Sequence, residues 1–177
     1  MCVIYAAMVL VFTAISLFTA PQGSQTGIFR PVSTIPYHEV LLILLGIGLG
    51  LAASVFLWGR NWAFVFLIPA LVVLTDLDHL PSYLKWAQPI RPAHSFIFIL
   101  LTVALIVMVI RRRDVEFVSL SAFFAHLSID TGVFPPFSPV DFTYYNLNEF
   151  RIPFLVAAIA FALGAGYVSR KSRGRVD

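Results

Sequence analysis

Residues 62–79 read WAFVFLIPALVVLTDLDH, an apolar run that ends in two aspartates and a histidine. The run carries no charged residue before Asp76, which is typical of a helix surrounded by lipid or by a buried core. Its polar ending is costly, because an ionisable side chain near the centre of a membrane span costs about 2.5 to 3.5 kcal/mol. The stretch therefore indicates an apolar environment for its helix, and it places candidate functional residues at the end of that helix.

The whole chain has the same apolar character. Of its 177 residues, 59% are hydrophobic and 12% are charged, whereas soluble domains carry roughly 25% charged residues. A domain of this size cannot hide so much apolar surface from water, so a soluble globular protein is excluded, and the low charge excludes disorder. The single cysteine, Cys2, excludes a disulfide framework and a cysteine-based zinc module.

Six apolar stretches are each about long enough to cross a bilayer as a helix. They cover residues 2–20, 40–59, 62–76, 94–110, 117–134 and 154–169. The sequence therefore predicts an all-α fold in which residues 1–177 form a single integral membrane domain, a polytopic bundle of about six spans in the cell membrane. Residues 1–20 resemble a secretory signal in part, but they lack a basic start and Pro21 would follow the cleavage point, so we expect a retained helix.

The distribution of basic residues predicts the orientation of the bundle. With the N-terminus inside, the cytoplasmic side receives Arg60, Arg111, Arg112, Arg113, Arg170, Lys171, Arg173 and Arg175, and the outer side receives Arg30, Lys85, Arg91 and Arg151. This excess favours N-in and C-in, with residues 154–177 forming the last span and a basic cytoplasmic tail. We interpret the net charge of +3 as a sign of topology and expect no nucleic-acid partner.

Two apolar features have simple structural interpretations. The outer loop 135–153 contains Phe137, Phe142, Tyr144, Tyr145 and Phe150, which predicts an aromatic belt lying on the lipid headgroups. Gly46, Gly48 and Gly50 in the second span predict close packing against a neighbouring helix.

The few ionisable residues near the spans form short motifs. Asp76, Asp78 and His79 end the third span, His94 and Ser95 open the fourth, and His38 and Glu39 stand at the entrance to the second. In the fifth span His126 and Asp130 are four residues apart, which places both on one helical face. Because successive spans alternate in direction, all four histidines and these three aspartates are predicted to share one face of the membrane.

Imidazole and carboxylate ligands without thiolates are typical of zinc, manganese or iron. We expect zinc, with manganese or iron as alternatives, and either one ion or two. Seven candidate ligands exceed the need of one ion: His38, Asp76, Asp78, His79, His94, His126 and Asp130. We expect His126, Asp130, Asp76 and His79 to bind metal directly, while Asp78, His94 and His38 complete a second ion, orient ligands, or act as general acid and base.

Other polar residues near this face have several interpretations. Arg91 is expected to neutralise the cluster, to extend towards the membrane interface, or to bind an anionic substrate group such as a phosphate. Ser95 is expected to cap the fourth helix, and Ser121 to be a packing residue. Lys85 and Arg151 are expected to be interfacial anchors.

The order of these motifs resembles the membrane-bound metal-dependent hydrolase family, whose bacterial members are described as LexA-regulated inner-membrane hydrolases. The resemblance covers residues 36–140. It rests on Asp76-Leu-Asp78-His79, on Arg91-Pro-Ala-His94-Ser95, and on His126-Leu-Ser-Ile-Asp130 followed by Gly132-Val133 and Pro135-Pro136. His38 resembles that family's early histidine, and the first span is an extension. Thr75 stands where the family usually has proline, and Ile90-Arg91 where it has a His-Arg pair.

The resemblance implies a metal-dependent hydrolase, which we expect to act on an ester or phosphoester bond at the outer face of the membrane, and the location of the motifs suggests a lipid-linked substrate. Asp78, His94 and Arg91 are the residues expected to take part in catalysis. Two other classes use the same residues: a metal-ion or proton-coupled transporter or channel subunit, and a structural membrane protein whose helices a metal joins. Transport needs polar groups at successive depths, whereas this chain concentrates them at one face.

Overall fold

A computed structural model describes residues 1–19, 35–56, 61–83, 91–130 and 133–173. Within these ranges the main helices are α1 (Cys2–Thr19), α2 (Ile35–Leu51), α3 (Ala63–Leu74), α4 (Leu80–Tyr83), α5 (Phe96–Ile110), α6 (Arg113–Ile129) and α7 (Arg151–Arg173). A π-helical segment, Ala52–Phe56, extends α2, and 3₁₀ turns cover Thr75–His79, Pro92–His94 and Leu147–Glu149. Strands β1 (Val133–Phe134) and β2 (Tyr145–Asn146) pair antiparallel, with Val133 opposite Asn146. The predicted all-α class is confirmed.

Three of the described helices are long and apolar enough to cross a membrane: Cys2–Thr19, Tyr37–Ser54 and Arg151–Ser172. The helix Phe96–Ile110 is apolar but shorter. Each predicted apolar stretch coincides with a helix, but two boundaries differ clearly. The third stretch forms only the short α3 before the backbone tightens into a 3₁₀ turn, and the last stretch forms the longest helix, which begins at Arg151 with Pro153 in its first turn.

Close contact between α2 and α3 depends on two glycines of the predicted three. A methyl group on Gly46 would lie 2.5 Å from Pro69 Cα, and one on Gly50 would lie 2.6 Å from the carbonyl oxygen of Phe64. Gly48, on the opposite side of the helix, has open space around it. The packing role is therefore confirmed for Gly46 and Gly50, and Gly48 does not share it.

Helices α6 and α7 pack against each other through small residues and stacked aromatic rings. Ala158, Ala162 and Ala165 are buried, and the rings of Phe124 and Phe161 stack with centroids 5.6 Å apart. Ser121 donates a hydrogen bond to the carbonyl oxygen of Ala158 at 2.9 Å, which agrees with its expected packing role. This pairing fixes α6, the helix that carries His126.

The helices alternate so that two ends of the bundle are chemically different. Helices α3 and α6 end where α2, α5 and α7 begin, and we call this the site end because all four histidines lie there. The opposite end carries a group of basic residues: Arg111, Arg112, Arg113 and Lys171 line one shared cavity there. At the same end Asn61 lies 3.3 Å from Ser169. Arg30, Arg60, Lys85 and Arg175 lie outside the described residues.

Helix α1 departs from the prediction of a first span with its start at the cytoplasmic side. Tyr5 donates a hydrogen bond to Thr75 at 3.0 Å, both Tyr5 and Phe12 pack edge-to-face on Phe98 at 5.4 Å, and Ser16 lies 3.4 Å from Ser138. All three partners belong to the site end, although Tyr5 and Ser16 are about 16 Å apart along a helix. These contacts place α1 across the site end, so it does not start at the basic end.

The aromatic loop also differs in part from a plain interfacial belt. Phe137 and Tyr145 are exposed, as a belt requires. Phe150, in contrast, packs on Phe134 and Phe154 at ring distances of 6.1 and 5.8 Å. This internal aromatic cluster holds the β1–β2 ribbon against the start of α7.

The glycine contacts generate a stability prediction. Gly50→Ala should lower the free energy of unfolding by about 1 to 3 kcal/mol, because the added methyl group meets backbone atoms of α3 that cannot move aside. Gly46→Ala should act in the same direction. Thermal unfolding of the purified protein in detergent, followed by circular dichroism, measures the effect. Gly48→Ala is the matched control and should unfold like the wild type; equal melting temperatures for all three variants would contradict the contact.

Candidate metal centre

The Asp-x-Asp-His motif lies on a 3₁₀ turn that continues directly from α3. With three residues per turn, Asp76 and His79 lie one above the other, and the turn also directs Asp78 inward. The turn ends at His79, and a further helical turn, Leu80–Tyr83, follows it directly, with Pro81 in its first turn, where proline is tolerated. The change of helix type at Thr75 is what lets both aspartates reach the cluster.

The second motif is held by a short 3₁₀ turn and by a capped helix. His94 ends the turn Pro92–His94, and the Ser95 side chain accepts a hydrogen bond from the backbone N–H of Phe98 at 3.0 Å. Ser95 is thus the N-cap of α5, as expected. The backbone N–H of Phe96 donates to the carbonyl oxygen of Pro136 at 2.8 Å, which ties this corner to the loop after α6.

The third motif occupies the last turn of α6. His126 is fully buried, and Asp130 follows the helix as its C-cap, with its backbone N–H donating to the carbonyl oxygen of His126 at 3.0 Å. His126 Nδ1 lies 2.8 Å from the carbonyl oxygen of Val72 in α3. The packing of α6 on α3 therefore sets the direction of this imidazole.

The structure brings all seven predicted ligand residues into one connected cluster. Asp76 is central: its Oδ1 lies 3.5 Å from His79 Nε2 and 3.6 Å from His126 Nε2, and its Oδ2 lies 3.7 Å from His38 Nε2. Asp78 contacts His79 Nε2 at 3.3 Å through Oδ1 and His94 Nδ1 at 3.0 Å through Oδ2. These contacts leave no predicted ligand outside the cluster.

The hydrogen bonds of the two buried imidazoles indicate where their protons lie. A carbonyl oxygen can only accept, so His126 Nδ1 donates to Val72. When Asp78 is ionised its Oδ2 can only accept, from the backbone N–H of Ala93 and from His94 Nδ1, each at 3.0 Å, and His94 then carries its proton on Nδ1. In the neutral form each ring then has its lone pair on Nε2.

These two Nε2 atoms face each other at 2.9 Å. Two lone pairs at that distance repel, so the arrangement calls for a cation, either a shared proton or a metal ion. Asp130 Oδ2 lies 3.2 Å from His94 Nε2, and Asp76 Oδ1 approaches His126 Nε2 from another side. Carboxylate oxygens that join the nitrogens in this way favour a divalent metal ion over a proton.

The spacing of these atoms also fits metal binding. Atoms held by one zinc ion at about 2.0 to 2.2 Å are about 2.8 to 3.1 Å apart at a right angle and about 3.3 to 3.6 Å apart at the tetrahedral angle. The separations of 2.9, 3.2 and 3.6 Å among His94, His126, Asp130 and Asp76 match this range. An oriented imidazole with a carboxylate on its other nitrogen, as in Asp78–His94, is also typical of metal ligands.

The cluster has a closed side and a more open side. The side chains of Asp78, His94, His126 and Asp130 are at most 1% exposed, whereas those of His38, Asp76 and His79 are 11 to 15% exposed. Water and small ligands therefore have access from the side of these three residues.

Burial changes the pKa of two groups of the cluster, His79 on the open side and Asp78 on the closed side. Burial lowers the pKa of His79 to about 3, so this ring is neutral at physiological pH and can offer a lone pair. Burial also raises the pKa of the Asp78 carboxyl above its ordinary range, although His79 and Arg91 act in the opposite direction. A nearby positive ion would keep this carboxyl ionised.

Arg91 is an internal partner of the cluster and is only 7% exposed. It pairs with Asp130, donates to the carbonyl oxygen of Val133 at 2.8 Å, and lies 3.5 Å from His79 Nε2. Of its three predicted roles, charge neutralisation fits these contacts and extension towards the interface does not.

Two flanking residues complete the comparison with the predicted site. Arg151, expected to be an anchor, donates to the carbonyl oxygen of Ile129 at 3.1 Å and so satisfies the end of α6. Glu39 is not among the predicted ligands, yet it lies with His38 and Asp76 in a group whose ligand atoms are within 4.8 Å of one another. Its position next to His38 in the sequence is the feature that could have identified it as a candidate ligand.

A scan against protein-family models gives no match, and neither the curated proteins nor the solved structures contain a significant match to this chain.

The hydrogen bond between Asp78 and His94 generates a prediction about metal affinity. Asp78→Ala removes the acceptor that orients His94 and should weaken zinc binding about 10- to 100-fold. Asp78→Asn keeps an oxygen acceptor and should recover most of the affinity. Competition with a chromophoric chelator in detergent measures both values. Ser119→Ala, which changes a buried polar residue elsewhere on α6, is the control; unchanged affinity in Asp78→Ala would rule out the orienting role.

Proposed function

We propose that this chain is a membrane-bound, metal-dependent hydrolase that cleaves an ester or phosphoester bond at the site end of its helical bundle. The observation that carries the proposal is the convergence of ligand atoms of His94, His126 and Asp130, which lie within 4.8 Å of one another, with Asp76 Oδ1 3.6 Å from His126 Nε2. The order of the motifs along the chain, with its resemblance to the metal-dependent hydrolase family, supports the same reaction class.

In this proposal the closed side binds the metal and the open side faces the substrate. Val72 and Asp78 orient the two imidazoles through their Nδ1 atoms, and Arg91 holds Asp130. A divalent ion, zinc above all, would supply polarisation of the bond under attack and would make water acidic enough to react near neutral pH. The proton of the attacking water would leave through the open side, on which the partly exposed His38, Asp76 and His79 lie.

The arrangement of ionisable groups favours a site over a transport pathway. Among the described residues, the histidines, aspartates, glutamates, arginines and lysines lie near one end of the bundle or the other, and the middle portions of α2, α3, α5 and α7 carry none. A proton or metal pathway needs polar groups at successive depths. A lipid-linked substrate fits this arrangement, because a bond near the headgroups would reach the open side without leaving the bilayer.

The membrane topology belongs to the same proposal. Alternation of α2, α3, α5, α6 and α7 would put the site end outside and the basic end, with Arg111, Arg112, Arg113 and Lys171, in the cytoplasm, so that the C-terminus is inside. Helix α1 lies across the site end in this topology.

Two variants with substitutions in or next to α6 test the enzyme proposal through their metal content and their rate of hydrolysis. Asp130→Asn should lose bound metal and at least about 100-fold of the hydrolysis rate, because it removes a charged ligand. Asp114→Asn changes a carboxylate that is also buried and also paired with an arginine, but it lies at the opposite end of the bundle. This variant should keep both its bound metal and its rate of hydrolysis. Elemental analysis and an ester and phosphoester panel in lipid give the two readouts.

Each failure of this test has its own meaning. Wild-type protein that contains no metal and does not respond to a chelator would overturn the metal centre and favour a shared proton. Bound metal without turnover of any panel substrate would overturn the hydrolase and favour a metal that joins helices. Melting temperatures of both variants show that the folds are comparable.

Cysteine labelling tests the orientation. In a Cys2→Ala background, Val140→Cys should react with a membrane-impermeant maleimide on intact cells, because Val140 is 81% exposed at the site end. Ser172→Cys, at the basic end, should react only after the cells are permeabilised. The reverse pattern would contradict the proposed orientation.

A further inference from the structure

The carboxylate of Asp76 faces two different groups of ligands. Its Oδ1 points towards His79 and His126, with distances of 3.5 and 3.6 Å, and its Oδ2 points towards His38, at 3.7 Å. A carboxylate whose two oxygens face separate ligand sets has the arrangement needed to bridge two ions. Sites of this kind hold their metals about 3.5 to 4 Å apart.

The second ligand set contains Glu39. His38, Glu39 and Asp76 each offer one atom, and these atoms lie within 4.8 Å of one another. His38 Nε2 and Glu39 Oε2 are both shielded from solvent, so both side chains are directed into the protein although they are neighbours on α2. His38 and His126, one from each set, lie with ring centroids 6.3 Å apart, which makes the two sets adjacent.

The number of donor residues in the cluster also exceeds what one ion can bind. Eight residues contribute to it: His38, Glu39, Asp76, Asp78, His79, His94, His126 and Asp130. A catalytic zinc ion takes about three protein ligands. A second ion would therefore find donors that the first does not use.

We propose that a second divalent cation binds to His38, Glu39 and Asp76, with Asp76 bridging it to the ion held by His94, His126 and Asp130. The proposal rests on the metal centre described above and makes Glu39 a ligand. The side chains of His38 and Asp76 are 11 and 12% exposed, whereas those of His94 and Asp130 are at most 1% exposed, so the second ion lies nearer to the protein surface than the first. It is the ion placed nearest to an entering substrate.

Metal counting on the full-length protein tests this second site. Wild-type protein dialysed against manganese and then desalted should hold two ions per chain by elemental analysis, and should show the spin-coupled electron paramagnetic resonance spectrum of a manganese pair. Glu39→Gln and His38→Gln should each hold one ion and give the spectrum of isolated manganese. Chelator titration of the wild type should remove the ions in two steps.

Glu116→Gln is the matched control, because Glu116 is also partly buried but lies at the basic end, and it should keep two ions. One ion in the wild type, with no change in Glu39→Gln, would overturn the second site and leave the first intact. An absence of metal would instead overturn the metal centre as a whole. Loss of both ions from Glu39→Gln and His38→Gln at unchanged melting temperatures would also overturn the proposal. In these variants His94, His126 and Asp130 should still bind the first ion.

Discussion

The mutual approach of two imidazole lone pairs, on His94 and His126, is the interaction on which the rest of this structure depends. With both rings protonated at Nδ1, the two lone pairs repel, and the neighbouring side chains determine how that repulsion is relieved. Val72 and Asp78 fix the ring orientations, Asp130 and Asp76 bring negative charge, and Arg91 limits the excess. In a chain with so few charged groups, burial of this set has a large energetic cost unless these contacts form together.

The apolar packing of the helices holds the imidazole rings of His94 and His126 in place. Gly46 and Gly50 let α2 approach α3 closely, which brings His38 to Asp76. The pairing of α6 with α7 through Ser121 and the stacked rings of Phe124 and Phe161 positions α6 against α3, where His126 reaches Val72. The precision of the polar cluster therefore comes from helix contacts that contain no ionisable group.

Sequence reasoning predicted the helical class and the meeting of the motifs, because both follow from simple rules. Apolar runs in a chain of this composition form helices, and alternating directions bring the start of α2 and α5 to the end of α3 and α6. Other features depend on three-dimensional detail. The 3₁₀ turn at Thr75, the acceptor atoms on Val72 and Asp78, the inward direction of Glu39 and the internal pairing of Arg91 are set by contacts between distant segments. The position of α1 was not predicted, because the length and hydropathy of a helix do not show which segments it contacts.

That position has a consequence for biosynthesis. Helix α1 precedes all of its partners in the chain, since these are Thr75, Phe98 and Ser138. Its buried side chains, Tyr5 and Val9 among them, consequently have no native surface to pack on until residues far downstream have been synthesised and folded. Helix α1 is thus made before the surface on which it docks, and its docking must follow the folding of the site end.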